Sequence, residues 1–319
     1  MFNLNNNIID VCNNHYRPLL NLQNVCSIGL GLKYINNINT FEPCIHVLVE
    51  KKLPADYVSS NNIIPKHYMG LKTDVIQIGK PRFTSNDAVP ERFRPLKGGC
   101  SLGIAVRLGV NELVFARGTL GCIVTKPYKK FLKKYFILSN NHVLANLNRL
   151  PIGTSIIQPS AENGGTKKDL VAHLSNFIPL HFSYPGIMEM VNFVDCAIAE
   201  LSNSKLASKL IHDVGKLAGY SKAILNEPVK KVGYVSGLTT GYITSTNATL
   251  QVQVDNAVNI FQNQILAKLR IATGDSGSIV LNDSNKAVGL AFSGTDEGFL
   301  YMNDISLVLK ELDVELYTD

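Results

Sequence analysis

Apolar residues in the first twenty positions recur at helical spacing. Leu4, Ile8, Cys12, Tyr16 and Leu19 stand three or four apart and mark one face of a helix that Pro18 should end. The pattern then shortens. Residues 25–34, 44–50 and 74–78 read as strands, with the turn between the first two at Asn36-Asn37-Ile38-Asn39. Residues 1–80 are therefore expected to form a small α+β domain. Residues 81–99, holding Pro81, Pro90, Pro95, Gly98 and Gly99, read as a linker.

From Cys100 the chain becomes a series of short apolar runs broken by Gly, Pro, Asn and Lys. Strands are expected at 113–115, 121–124, 136–139, 155–158, 194–201, 229–235, 242–246, 250–254, 266–271, 278–281 and 287–292. So many strands with few helices predict a mainly β domain over 100–319, closed or sandwiched. A short helix at 205–211 is expected to bridge its halves. A last helix at 304–312 presents Ile305, Val308, Leu309 and Leu312 on one face, with Asn303 or Asp304 available to cap it.

Composition changes this picture little. With 45% hydrophobic and 18% charged residues, the chain can bury a core. Its longest apolar runs, such as 136–138 and 288–292, are far too short to cross a membrane. The first residues carry no secretory pattern, which points to the cytoplasm. Six scattered cysteines show no zinc-ligand spacing and read as buried free thiols. No metal and no cofactor is expected. The net charge of +6 draws on Lys126, Lys129, Lys130, Lys133 and Lys134. These lysines fit a solvated hairpin loop better than a nucleic-acid patch, because no arginine is interleaved and no second basic strip exists.

The sharpest chemical signal is Gly274-Asp275-Ser276-Gly277-Ser278. A nucleophilic serine needs a base to take its proton and donors for the charge that forms on oxygen. A glycine two positions before the serine lets its own N–H and the serine N–H face one hole, which makes Gly274 and Ser276 the candidate oxyanion donors. The pentapeptide alone is also compatible with an ordinary hairpin. No histidine follows Ser276, which excludes the hydrolase order that places histidine last. The order His, Asp, Ser stays open. His142 follows the apolar run 136–139 and is the best placed of seven histidines to act as base. Asp195 precedes Cys196-Ala197-Ile198-Ala199, an apolar run that tolerates a charge only if the charge is paired. Asp195 is thus the candidate to orient His142.

These segments resemble the chymotrypsin-like serine peptidases: Asn141-His142-Val143, Val194-Asp195-Cys196-Ala197 and the Ser276 pentapeptide. A closer likeness is to bacterial trypsin-like peptidases related to the plant narrow-leaf protein. It rests on Gly118-Thr119-Leu120-Gly121, residues 138–146, Ile157-Gln158-Pro159, residues 237–241, residues 49–54 and Thr73-Asp74-Val75. The resemblance implies a chymotrypsin-like double β-barrel with a C-terminal helix, behind a small α+β N-terminal domain. It also implies endopeptidase activity through His142, Asp195 and Ser276, on protein or peptide substrates. By family position Arg270 could lie at the base of the pocket for the residue before the cleaved bond and favour an acidic side chain there; it could equally be a solvent-facing strand residue. One departure matters. The Ile-Val-Gly-Gly terminus that pairs with the aspartate before the serine in trypsin-like zymogens is absent. Asp275 must find another partner, or the chain stays latent until a regulatory ligand or assembly into homo-oligomers orders the site. The alternative function is a catalytically silent scaffold that binds a protein partner.

Overall fold

The computed structural model describes residues 4–36, 38–81, 91–108, 112–126, 133–184, 190–254 and 256–318. The mainly β expectation holds, and the strands after residue 100 build two barrels. In the second barrel, Pro228–Gly233, Gly237–Val254, Ala257–Lys268, Phe299–Asp304, Ala287–Gly294 and Ile279–Asn282 each pair antiparallel with the next. The last pairs back to the first and closes the ring. Its interior is filled by Val229, Ile243, Ile265, Val280, Val288 and Leu300.

The first barrel curls from an eight-stranded sheet ordered Glu315–Leu316, Cys122–Thr125, Tyr135–Ser139, Ala197–Leu201, Leu170–Phe177, Ser155–Ile157, Ser101–Leu108, Glu112–Thr119. Leu102, Ile123, Ile137, Val143, Ile156 and Val171 fill it. The helix Ile305–Leu312 buries Ile305, Val308, Leu309 and Leu312 on a core shared by both barrels, with Leu138 and Ile198 from one and Val232 and Leu290 from the other. Asp304 is its cap; the carboxylate accepts from the Ser306 N–H at 2.8 Å.

The N-terminal segment starts with the helix Leu4–Asn14 and continues with strands Val25–Ile35, Ile38–Val49 and Leu71–Gln77. Pro18 does not end the first helix. It sits in the first turn of a second one, Arg17–Leu20, where a missing N–H costs nothing. Val25–Ile35 pairs antiparallel with Gly237–Val254, Ser27 opposite Leu250 and Gly31 opposite Ser245. The N-terminal strands thus extend the sheet of the second barrel. Of the expected linker, residues 82–90 lie outside the described residues. Phe93 and Leu96 beyond them are buried. Of the basic loop, Lys129 and Lys130 also lie outside the described residues, while Lys134 pairs with Glu200 at 2.8 Å in solvent.

Two further local expectations fail. Residues 205–211 are not a helix but a single 3₁₀ turn, Ser204–Leu206, followed by the short strand Leu210–Ile211. Their backbone groups are taken across the chain: the Leu96 N–H donates to the Leu206 carbonyl at 2.9 Å and the Gly98 N–H to the Leu210 carbonyl at 2.9 Å. The runs 242–246 and 250–254 are not two strands but parts of one, Gly237–Val254. Asn247 adopts φ +50° between them, and the register slips there as a bulge rather than a turn.

Candidate functional site

Tyr135–Ser139 is a buried strand that ends in Asn140, whose extended backbone starts the short helix Asn141–Leu144 bearing His142. Ala197–Leu201 pairs with that strand, Ala197 opposite Ser139. Asp195, two residues before Ala197, and His142, three after Ser139, therefore emerge at the same end of neighbouring strands. The Asp195 side chain is fully buried and the His142 ring is 12% exposed. The carboxylate accepts twice from His142: from Nδ1–H of the ring and, at 3.1 Å, from its backbone N–H. With Nδ1 holding the proton, Nε2 of the neutral ring is the nitrogen able to take another.

Asp195 is held from three sides. Its own N–H donates to Asn303 Oδ1 at 3.0 Å, and its carbonyl accepts from Asn140 Nδ2 at 2.7 Å. Asn303 Nδ2 in turn donates to Gln264 Oε1 at 2.7 Å. Asn140, Gln264 and Asn303 are supporting residues that sequence reasoning missed. Asn303 was noticed only as a helix cap. A run of polar side chains at buried strand positions was the signal available.

Ser276 lies in the turn that feeds Ile279–Asn282 and is 2% exposed, its hydroxyl 3.4 Å from the Phe292 carbonyl. Gly274 has φ +109°, a conformation open to glycine at little cost. The N–H groups of Asp275, Gly277 and Ser278 donate to the carbonyls of Ala272, Ala291 and Asp275. Those of Gly274 and Ser276 donate to no described residue.

Gly118 brings the two halves together. A Cβ on it would stand 2.5 Å from Val143 Cγ2 and 2.9 Å from the Ser276 carbonyl oxygen. Only a hydrogen fits between the residue after His142 and the backbone of Ser276. The Thr119 N–H also donates to the Ser276 carbonyl at 2.8 Å, and Thr119 Oγ1 to the Gly274 carbonyl at 2.8 Å. The structure thus joins Asp195 to His142 by hydrogen bonds and, through Gly118 and Thr119, brings the backbone of Ser276 against the residue after His142.

Asp275 has its partner within the chain. Lys231, fully buried on the strand Pro228–Gly233, reaches its Oδ2 at 2.8 Å. Ser236 Oγ donates to the same oxygen at 2.6 Å, and the N–H groups of Val235 and Ser236 reach Oδ1 at 3.2 and 3.1 Å. Burial by itself would raise the Asp275 carboxyl. The Lys231 ammonium, with bonds from Ser236 and Ala272, outweighs burial and holds it below the usual carboxylate range. Burial also lowers Lys231, against the pull of Asp275. The turn carrying Gly274 and Ser276 is thereby pinned by an ion pair that requires no free amino terminus. Arg270 is exposed, and its carbonyl accepts from Thr239 Oγ1 at 3.1 Å. One group of metal-ligand types is gathered among the described residues, Cys44, His46 and Asp74, and it stands on the N-terminal strands.

No family model matches the chain. Curated relatives named glutamyl endopeptidase, from Staphylococcus epidermidis, are 25% identical over 287 residues, 88% of this chain and 82% of theirs. Among solved structures, Thermobifida fusca protease A is 17% identical with a TM-score of 0.49, over 70% of this chain and 98% of its own. A glutamic-acid-specific serine protease, described as using a histidine triad in substrate binding, is 16% identical with a TM-score of 0.46, over 70% of this chain and all of its own. The chain has a mainly β, double-barrel fold. Its two barrels, its shared core and its terminal helix are the parts of that architecture, and the site described above lies in the seam between them.

Proposed function

We propose that the protein is a serine endopeptidase in which Ser276 is the nucleophile, His142 the general base and Asp195 the group that orients the base. The observation that carries this reading is the double hydrogen bond from His142 to the buried Asp195 carboxylate; Gly118 alone separates Val143, the residue after His142, from the Ser276 carbonyl. The Ser276 hydroxyl attacks the peptide carbonyl as His142 Nε2 takes its proton. The amides of Gly274 and Ser276 receive the developing oxyanion. His142 then protonates the departing amine, leaving an acyl-enzyme. Water, deprotonated by the same nitrogen, releases the acid.

The ion pair of Lys231 with Asp275 supports a site that is formed in the uncleaved chain, ahead of the alternative of latency relieved by a ligand or homo-oligomer. The relatives' name supports an acidic residue before the cleaved bond, and Arg270, six residues before Ser276, is the residue that would meet it. The six free cysteines, five of them buried, suit a reducing compartment such as the cytoplasm. The likeness to the narrow-leaf-related peptidases is part of the same proposal and rests on the sequence motifs alone.

A peptide library incubated with the uncleaved chain and with Ser276→Ala tests the reading. Cleavage by the parent alone, after Glu or Asp, is expected. Cleavage best after Lys or Arg removes Arg270 from the pocket. No cleavage by the parent under any condition favours the silent scaffold.

A further inference from the structure

Sequence spacing alone does not show a metal site, because Asp74 stands far along the chain from Cys44 and His46. The fold assembles one. Ile38–Val49 and Leu71–Gln77 run parallel with His46 opposite Asp74, and Cys44 lies two residues before His46 on the same face. Donor atoms of Cys44, His46 and Asp74 all fall within 4.8 Å of one another. The His46 ring lies over Gly31 of the neighbouring strand, which has no side chain to displace it. His46 and Asp74 line a cavity of about 500 Å³ between the N-terminal strands and the second barrel; Asp74 is partly exposed there, while Cys44 and His46 are buried behind it.

We infer that Cys44, His46 and Asp74 form a binding site for a thiophilic divalent cation of the zinc class. One sulfur, one imidazole nitrogen and one carboxylate oxygen suit zinc, whereas calcium and magnesium take oxygen ligands. With three protein ligands, the fourth position of a zinc site falls to water. Nε2 of His46 stands 2.8 Å from the Leu32 carbonyl, which can only accept, so Nε2 carries the hydrogen and Nδ1 the lone pair. Nδ1 stands 2.7 Å from the Ser245 hydroxyl, so ligation through it requires that bond to break. Lys33, whose ammonium is 3.9 Å from Asp74 Oδ1 and also bonds the Thr73 carbonyl, swings outward on its flexible stem. A bound cation would clamp two N-terminal strands beside Ser245 of the long barrel strand. Its effect falls on stability, independently of hydrolysis.

The test uses the full chain carrying Ser276→Ala, which removes self-digestion. Zinc is titrated against a chelating indicator, cobalt binding is followed by its thiolate charge-transfer absorption, and thermal unfolding is measured with and without zinc. One zinc per chain, a cobalt–thiolate band and a raised melting temperature are expected. Cys44→Ser and His46→Gln should each weaken binding by about tenfold or more and abolish the thermal shift. Absence of zinc binding, or binding without the thiolate band, overturns the inference. So does binding that survives in both variants. Should those variants misfold, Asp74→Asn, at a partly exposed position, and the parent's cobalt spectrum still decide.

Discussion

At the scale of single residues, the account turns on charges that are buried yet paired. Removing one member of a buried pair leaves the other uncompensated, which costs far more than the pair itself contributes. Lys231→Met should therefore destabilise the fold by about 3–5 kcal/mol and lose hydrolysis, readable by denaturant unfolding and a turnover assay. Replacing both members, Lys231→Met with Asp275→Asn, should cost less. The pair also leaves a pH signature. A carboxyl whose folded pKa is depressed contributes stability above the unfolded value of about 3.9 and loses it as pH falls through the lower folded value. The stability gap between the parent and the double variant should be constant near neutrality and shrink on acidification below about pH 4. Asp195→Asn should lower kcat by about four orders of magnitude with little change in fold, because it misplaces the ring proton. The pairing of His142 with Asp195 was legible because each adjoins an apolar run, and Ser276 stood out by the glycines on either side of it. Lys231 was not, since a lysine within a strand normally faces solvent, and nothing local reveals Asp275 behind it.

At the scale of elements, the site depends on close backbone approach more than on side-chain bulk. Gly118 separates Val143 from the Ser276 carbonyl, so Gly118→Ala forces the two barrels apart at that point. The expected cost is about 1–3 kcal/mol, with a fall in kcat exceeding any change in KM. Calorimetry beside steady-state kinetics would check both; an alanine variant with parental turnover would contradict this placement. The terminal helix was readable from its apolar face and its capping aspartate. The bulge at Asn247 was not, because asparagine signals a turn as readily as a left-handed kink inside a strand. The supposed helix at 205–211 failed for a nonlocal reason: the 91–99 segment claims its backbone hydrogen bonds. Strands Ser101–Leu108 and Leu170–Phe177 escaped notice because arginine, histidine and asparagine interrupt their apolar pattern.

At the scale of the whole molecule, the N-terminal segment and the second barrel share a sheet. Ser27 and Thr249 are tied by a 2.8 Å hydrogen bond, Thr249 Oγ1 donates to the Cys12 carbonyl, and Ile260 of the barrel joins the core under the first helix. Deleting residues 1–80 would remove that core, bare Ile260 on the barrel and leave an unpaired strand edge. The truncated chain should be insoluble or lack a cooperative transition in calorimetry. A soluble, active fragment would show the segment to be dispensable. The two barrels in turn must hold His142 and Ser276 against one another across their seam. The most direct measurement of that arrangement is mass-spectrometric mapping of a fluorophosphonate adduct on the intact chain. The account predicts one phosphonyl group, on Ser276, whose formation is lost in His142→Ala and slowed in Asp195→Asn. An adduct on a different serine, or labelling of Ser276 indifferent to the loss of His142, would contradict it.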